Sequence, residues 1–173
     1  MHDATPPVET ADIRDADEIL TLQKTAFLSE AELTNDFTIP PLTQTIDELC
    51  ADFGRQVFFK VVAEGRVIGS VRGHADDGTC YIGRLIVHPG YRNQGVGEKL
   101  MRTIEAYFGA CGRYEVFTGE KSTRNIHFYT KRGYRIFRTQ LISDRTPLVF
   151  MEKPGCPGQA PAFPEDIDAP LLH

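Results

Sequence analysis

Apolar and polar residues alternate with a period of two through the middle of the chain. Three strand-like runs lie there, covering Gln56 to Ala63, Arg66 to Ala75 and Cys80 to Val87. Glu64-Gly65 and Asp76-Asp77-Gly78 supply short turns between these runs. Consecutive strands joined by short turns pair antiparallel, so this region predicts an antiparallel sheet.

Helical spacing of apolar residues precedes this sheet twice. The first helix begins near Asp15, and the second is capped by Thr43 or Thr45 and ends at Gly54. Between them, Ser29 to Pro41 carries turn residues and acids, which predicts a loop with space for one helical turn.

A different pattern follows Val87. It predicts a helix from Val96 to Phe108, a strand from Tyr114 to Thr118 and a helix from Ser122 or Thr123 to Gly133. Strands at Tyr134 to Thr139 and Pro147 to Glu152 follow, and a short first strand at Val8 to Ala11 precedes all other elements. Strand, helix and strand in succession imply a right-handed parallel crossover. The predicted fold class is therefore α/β, of the α+β type, with a mixed sheet.

Composition predicts a single domain at residues 1–153, followed by a proline-rich tail at 154–173. No stretch approaches the roughly 18 apolar residues of a membrane span, and the first residues do not resemble a secretory signal, so we expect a cytoplasmic protein without membrane contact. The net charge of −5 argues against nucleic-acid binding. The four scattered cysteines indicate neither a metal site nor disulfides. A homodimer is compatible with these features.

The charges are unevenly distributed. Six cations and no acid lie between Lys121 and Arg138, whereas Ser29 to Asp52 contains six acids and no cation. Solvated surfaces are the common explanation of such runs. Together they predict one flank that attracts anions and one that attracts cations.

Two glycines at the start of a helix suggest a phosphate site. Gly95 and Gly97 follow Arg92, and the first amides of a helix have no intrahelical partner and favour anions. A dinucleotide fingerprint would need a third glycine at position 100, which is Leu100. A P-loop would need Lys and then Ser or Thr after the second glycine, where Glu98 follows instead.

These residues resemble the acetyl-CoA motif of the GNAT superfamily of N-acetyltransferases, [RQ]-x-x-G-x-[GA]. Asn125 to Tyr134 is similar to the second signature of that family, and the two occur in family order. The resemblance covers roughly residues 8 to 153. It implies a sheet of six to seven strands splayed between strands 4 and 5, with about four helices, and acetyl-CoA as cosubstrate with no metal. The coenzyme-binding residues that it implies are Leu85, Ile86, Val87, Arg92, Asn93, Gln94, Gly95, Val96, Gly97, Asn125 and Tyr129.

The resemblance also implies a catalytic acid at Tyr129, whose phenol would protonate the departing thiolate. Without the motif, a buried aromatic residue on a helix is the simpler interpretation. An oxyanion could be met by a strand amide near Val87. The base stays open, because Tyr81 stands where part of the family has a glutamate. Other candidates are Glu115, His74, Asp76 and Glu120, each also interpretable as an ordinary sheet or loop residue.

The acceptor is least defined. The resemblance implies that its pocket is walled by the acid-rich segment from Phe27 to Phe53, which has Phe37 inside it and favours a cationic small amine or a peptide amine. Phe117 to Glu120 would border the pocket. Arg84 lies within a strand, so it needs either a salt bridge or an acidic group of the substrate. The function predicted is acetyl transfer to a primary amine of a small molecule or peptide, by direct attack in a ternary complex. The alternative is a non-catalytic acyl-CoA-binding or regulatory module on the same fold.

Overall fold

The structure, a computed structural model, describes residues 4–141 and 147–158. These residues form one sheet with helices on both faces. The strands are β1 (Val8–Thr10), β2 (Val57–Ala63), β3 (Arg66–Asp76), β4 (Thr79–Val87), β5 (Arg113–Gly119), β6 (Arg135–Leu141) and β7 (Pro147–Pro154). The helices are α1 (Ala16–Thr34), α2 (Pro40–Thr43), α3 (Ile46–Phe53), α4 (Val96–Tyr107) and α5 (Thr123–Lys131).

The seven strands lie in the order β1-β2-β3-β4-β5-β7-β6. Every neighbouring pair is antiparallel except β4 and β5, which are parallel and are connected through α4. The predicted mixed, mostly antiparallel sheet is confirmed. Its single parallel pair is the crossover that the strand-helix-strand pattern implied.

The sheet opens between β4 and β5. Only Thr79–Tyr81 of β4 pairs with Arg113–Glu115 of β5, although β4 continues to Val87. Past these three pairs, the described residues show no further pairing between the two strands. The predicted splay is therefore present, with its gap at the carboxyl end of β4.

A β-bulge interrupts β4 beside this gap. Ser70 of β3 pairs with Ile86 and Arg72 pairs with Gly83, so β4 contains one extra residue there. Arg84 lies in the bulge with φ of 49°, the left-handed region that non-glycine residues seldom adopt. Bulges of this kind bend a strand and redirect its side chains.

Helix α4 packs closely on one sheet face. Its Leu100 and Ile104 are fully buried, and the strand beneath them carries Gly69 and Gly73. A Cβ at Gly69 would come within 2.7 Å of Val96, and one at Gly73 within 2.9 Å of Ile104. These glycines let α4 approach β3, which fixes where the helix begins relative to the end of β4. Helices α1 and α3 pack on the opposite face.

The main difference from the sequence prediction concerns the acidic loop. Helix α1 continues to Thr34 and ends at Asn35, whose φ of 51° closes it. Ala31 is fully buried, so the helix continues because its apolar positions persist through the acidic run. The expected single helical turn is α2. The capping box at Thr45 and the end at Gly54 agree with prediction for α3.

The last described segment is anchored to the loop before β5. Strand β7 ends at Pro154, and the Gly155 amide donates to the Gly112 carbonyl at 2.8 Å. Residues 159–173 of the predicted tail lie outside the described residues. All four cysteines are free thiols. In residues 4–141 and 147–158, no helix has the length and apolar character needed to cross a bilayer.

Candidate active site at the open end of the sheet

A cavity of about 470 Å³ occupies the gap between β4 and β5. The carboxyl end of β4, the loop before α4, the start of α4, helix α5 and one side of α1 form its walls. Ten of the eleven predicted coenzyme residues line it: Leu85, Ile86, Val87, Arg92, Asn93, Gly95, Val96, Gly97, Asn125 and Tyr129. Gln94 belongs to the same loop, and its carbonyl accepts a hydrogen bond from the Thr5 hydroxyl at 2.8 Å.

Gly95 begins α4 in a left-handed conformation, with φ of 85°. A side chain there would be strained whatever the surrounding space, so the glycine is required by the backbone. The amides from Gln94 to Gly97 make no hydrogen bond to another described residue. Amides at a helix N-terminus with a favourable dipole suit an anionic group such as a diphosphate.

Gly97 has a different role. It lies inside the helix, and a Cβ there would lie 3.4 Å from the Phe128 ring of α5 and 3.7 Å from Val87, which is ordinary contact. The second glycine thus keeps the space between α4 and α5 open without being demanded by the backbone. The two glycines of the motif are present for two separate reasons.

Cations surround this loop. Arg124, Lys131 and Arg132 of α5 and Arg92 of the loop all line the cavity. The Arg92 guanidinium donates to the Ala26 carbonyl of α1 at 3.4 Å. Burial, with the nearby Arg124, lowers the pKa of Arg92 below its usual value. An anion bound here would relieve that repulsion, so the predicted anion-attracting flank reaches the cavity through α5.

Tyr129 is 8 % exposed and faces the cavity from α5. Its hydroxyl makes no hydrogen bond with any described residue, whereas the neighbouring Tyr134 donates to Glu105 at 2.8 Å. Burial raises the pKa of Tyr129 well above its ordinary value. The phenol is therefore protonated at neutral pH and available as a donor to a group in the cavity.

Asn125 and Glu30 connect the two sides of the gap. The Asn125 amide donates to the Glu30 carboxylate at 3.3 Å and to the Thr118 hydroxyl at 3.2 Å. The Ser122 hydroxyl also donates to Glu30, at 2.9 Å. Glu30 belongs to the segment predicted as a loop. Its part in the site was missed because only the continuation of α1 brings this carboxylate over α5.

Two carboxylates line the cavity, and their surroundings differ. Glu98 is paired with Arg102 at 2.8 Å and with Arg132 at 3.5 Å. Glu30 accepts hydrogen bonds only from the neutral Ser122 and Asn125 among the described residues. Its charge also acts on the nearby Arg92, although the described residues show no ion pair at Glu30. A carboxylate outside an ion pair can attract an ammonium group or accept its proton.

The four bases suggested from the sequence lie elsewhere. Glu115 is paired with Arg113 at 2.9 Å. His74 stacks on Tyr81, and Asp76 and Glu120 are exposed. None of the four lines the cavity, since the strands that carry them are still paired or have turned away at those positions.

The predicted acceptor wall also needs correction. Within Phe27 to Phe53, only Phe27 and Glu30 line the cavity, and Phe37 is 52 % exposed. The segment from Phe117 to Glu120 does not line it either, although Thr118 accepts from Asn125. Helix α3 packs on β2 instead, where Phe53 stacks on Phe58 with ring centres 3.9 Å apart.

The loop, the splay and the position of α5 agree with a family model described as "Acetyltransferase (GNAT) family", which matches residues 17–134. The chain belongs to this family. Its fold is similar to that of a solved structure, the PaiA N-acetyltransferase of Thermoplasma acidophilum in complex with coenzyme A. The TM-score is 0.69 at 14 % identity, covering 85 % of this chain and 97 % of that one.

Two curated proteins are also similar to this GNAT chain. UPF0157 protein YqkA of Bacillus subtilis (strain 168) is 28 % identical over 120 residues, which are 69 % of this chain and 34 % of YqkA. "Uncharacterized N-acetyltransferase MJ1530" of Methanocaldococcus jannaschii is 31 % identical over 81 residues, 45 % of this chain and 52 % of that protein. The matched regions thus span about a third and about half of these relatives.

Proposed function

We propose that this GNAT protein transfers the acetyl group of acetyl-CoA to a primary amine. The observation that carries the proposal is the arrangement at one cavity of unpaired helix amides, a cationic rim and a buried phenol with a free hydroxyl. Each part matches one need of the reaction, namely a seat for a diphosphate, charge complementarity and a proton donor.

The residues around the gap fit the coenzyme. The amides from Gln94 to Gly97 would hold its diphosphate, with Arg124 and Lys131 close by. The unpaired edge of β4 around Leu85 to Val87 would receive the pantetheine arm as an extra strand. Asn125 would hydrogen-bond the same arm. Bound in this way, the coenzyme supplies an activated acetyl thioester at the end of the gap nearest to Tyr129.

Glu30 and Tyr129 would handle the protons. The acceptor arrives as an ammonium and must lose one proton before its nitrogen can attack the thioester carbonyl. Glu30, held by Ser122 and Asn125, accepts this proton directly or through water. When the carbon–nitrogen bond has formed and the carbon–sulfur bond breaks, Tyr129 protonates the thiolate and regains a proton from the nitrogen. The products are an amide, coenzyme A as the thiol, and one proton released.

A non-catalytic acyl-CoA-binding module is the alternative. A pure binder would use the amides and the cations but would have no need for Tyr129 or for an unpaired carboxylate opposite it. The free hydroxyl of Tyr129 and the neutral partners of Glu30 favour the enzyme. Action in the cytoplasm and assembly as a homodimer stay predictions.

Calorimetry with coenzyme A tests the donor site directly. Gly95→Asp places a carboxylate where the diphosphate would lie, and we expect it to weaken binding at least about 100-fold through repulsion and a distorted helix start. Gly78→Asp is the matched control, because Gly78 has a similar φ of 76° and nothing lies within 4 Å of its added Cβ. Absent affinity in the wild type, or equal affinity in the two variants, would contradict the proposal.

Turnover separates the enzyme from the module. Acetyl-CoA is incubated with amines, amino acids, lysine peptides and peptide N-termini, and release of the thiol is followed. Acetylation of at least one class is expected. Tight coenzyme binding with no product in any class would favour the non-catalytic module.

A further inference from the structure

Arg84 is a half-buried cation that the described residues do not neutralise. Its Nε atom is buried without a hydrogen-bond partner, and its guanidinium makes no ion pair or hydrogen bond to any residue of 4–141 or 147–158. Burial and the nearby Arg72 lower its pKa to about 10. Leaving a charged group in this state costs stability. Of the two alternatives that the sequence left open for Arg84, the salt bridge is therefore not formed with any of the described residues.

The nearest acid is already occupied. Asp52 of α3 is paired with Arg72 at 3.3 Å and with Arg55 at 2.8 Å. It also accepts a hydrogen bond from Gln44 at 2.7 Å. Arg72 is 6 % exposed, so Arg72 and Arg84 are both desolvated, and Asp52 is the carboxylate whose charge acts on both. Arg55 is paired with the same carboxylate. This corner of the protein therefore has an excess of positive charge.

The backbone at Arg84 is also unfavourable. Its φ of 49° within a central strand is a conformation that glycine adopts more easily, and Gly83 stands one position earlier. Backbone strain that persists beside a cavity is frequently tied to function, because a bulge there aims a side chain where a regular strand would not.

The guanidinium lies beside a residue of the cavity wall, although Arg84 is not itself one of the lining residues. Its central carbon is 6.0 Å from the centre of the Phe27 ring, which lines the cavity. Glu30 follows Phe27 by three residues on α1, which places the two side chains on one face of the helix. Leu85, the next residue along β4, lines the cavity as well.

We propose that Arg84 binds a carboxylate of the acceptor, so that the substrate class is a primary amine carrying a carboxylate, as in an amino acid. This inference rests on the proposed function. A guanidinium offers two parallel donors that match the two carboxylate oxygens. Glu30 and Arg84 would then meet the two opposite charges of one zwitterionic acceptor. The proposed acceptor differs from the cationic amine expected from the sequence in that it also carries a carboxylate.

Matched substrate pairs test the inference. Initial rates with acetyl-CoA are measured for ω-amino carboxylates of increasing length and for the amide of each. At the best length we expect kcat/KM for the carboxylate to exceed that for its amide at least about 30-fold, because the amide leaves the desolvated Arg84 without its counter-charge. Equal values at every length would overturn the inference and leave acetyl transfer intact.

The variant Arg84→Gln separates recognition from a structural role. It should remove the preference for carboxylates while leaving kcat/KM for the amides unchanged. It should be at least as stable as the wild type, because no ion pair or hydrogen bond to a described residue is lost and a desolvated charge is removed. Arg66→Gln is the control, since Arg66 is an exposed arginine at the start of the neighbouring strand β3 and does not line the cavity. A variant that is destabilised and equally impaired with both members of each pair would overturn the inference.

A binding measurement keeps the two proposals apart. With coenzyme A present, calorimetry compares binding of the best carboxylate probe to the wild type and to Arg84→Gln. Binding to the wild type alone supports the anion site, even if no amine is acetylated and the proposed function fails. Equal binding to both proteins, or none to the wild type, would overturn the site.

Discussion

The two walls of the cavity are built in different ways. The donor wall consists of the loop and helix segments at residues 92–97 and 124–132, each a nearly continuous stretch of chain. The wall that we assign to the acceptor consists of Phe27 and Glu30 of α1, with Arg84 of the β4 bulge beside Phe27, just outside the residues that line the cavity. One wall is encoded by neighbouring residues, whereas the other exists only after distant elements pack together.

The electrostatics of the walls differ in the same way. On the donor wall, several cations and backbone amides would contact the phosphates, which all coenzyme A thioesters share. This wall therefore suits any coenzyme A thioester. On the acceptor side, the proposed recognition depends on a single carboxylate and a single arginine. The segment from Ser29 to Asp52 contains six acids, and Glu30 is the one of them that lines the cavity. The other five are exposed or take part in helix caps, turns and ion pairs. A count of charges in the sequence therefore overestimates the cationic preference of the acceptor site.

Among the substitutions that test this comparison, Tyr129→Phe is expected to have the largest effect on kcat, because Tyr129 lies between the two walls. We expect kcat to fall about 100-fold or more, because a positioned acid contributes roughly that factor. Affinity for coenzyme A should be unchanged, since the hydroxyl has no protein partner to lose. Because burial raises the pKa of Tyr129, its ionisation should not reduce the wild-type kcat up to about pH 10. Steady-state kinetics against pH measure both quantities.

Tyr134→Phe is the control for that substitution. Tyr134 is 2 % exposed and donates to Glu105, so its loss should cost about 1 kcal/mol of stability and leave kcat unchanged. If the two variants lowered kcat alike, the phenol of Tyr129 would have no special part in the chemistry.

A somewhat smaller effect is expected from Glu30→Gln, which tests the acceptor wall. Glutamine can still accept from Ser122 and Asn125 but cannot take a proton, so we expect kcat/KM for the amine to fall about 10- to 100-fold. The affinity for coenzyme A should not change. Glu32→Gln, an exposed neighbour on the same helix, is the matched control. Equal rates for wild type and Glu30→Gln across pH 6 to 9 would remove Glu30 from the mechanism.

The contrast between the walls also explains what the sequence can predict. The residues of the donor wall could be named from the sequence because the two motifs of the resemblance are local stretches of chain, and the structure brings most of them to one cavity. That they bind the coenzyme stays a prediction. Glu30 was missed because its role depends on α1 continuing through an acidic segment and reaching Ser122 across the gap. Arg84 could be singled out as a charge within a strand. Its bulge and its missing partner depend on pairing with β3 and on the competition for Asp52.

The smallest effects distinguish the two glycines of the donor wall. Gly95→Ala places a side chain at φ of 85° and should cost about 1–2 kcal/mol in the free energy of unfolding. Gly97→Ala lies at the second position of α4, with ordinary contacts around the added methyl group, so it should gain up to about 1 kcal/mol. Urea denaturation measures both. If the two alanine variants changed stability by the same amount in the same direction, a single requirement for space would explain both glycines. Opposite signs would mean that the backbone dictates the first glycine and that the second one only leaves space between α4 and α5.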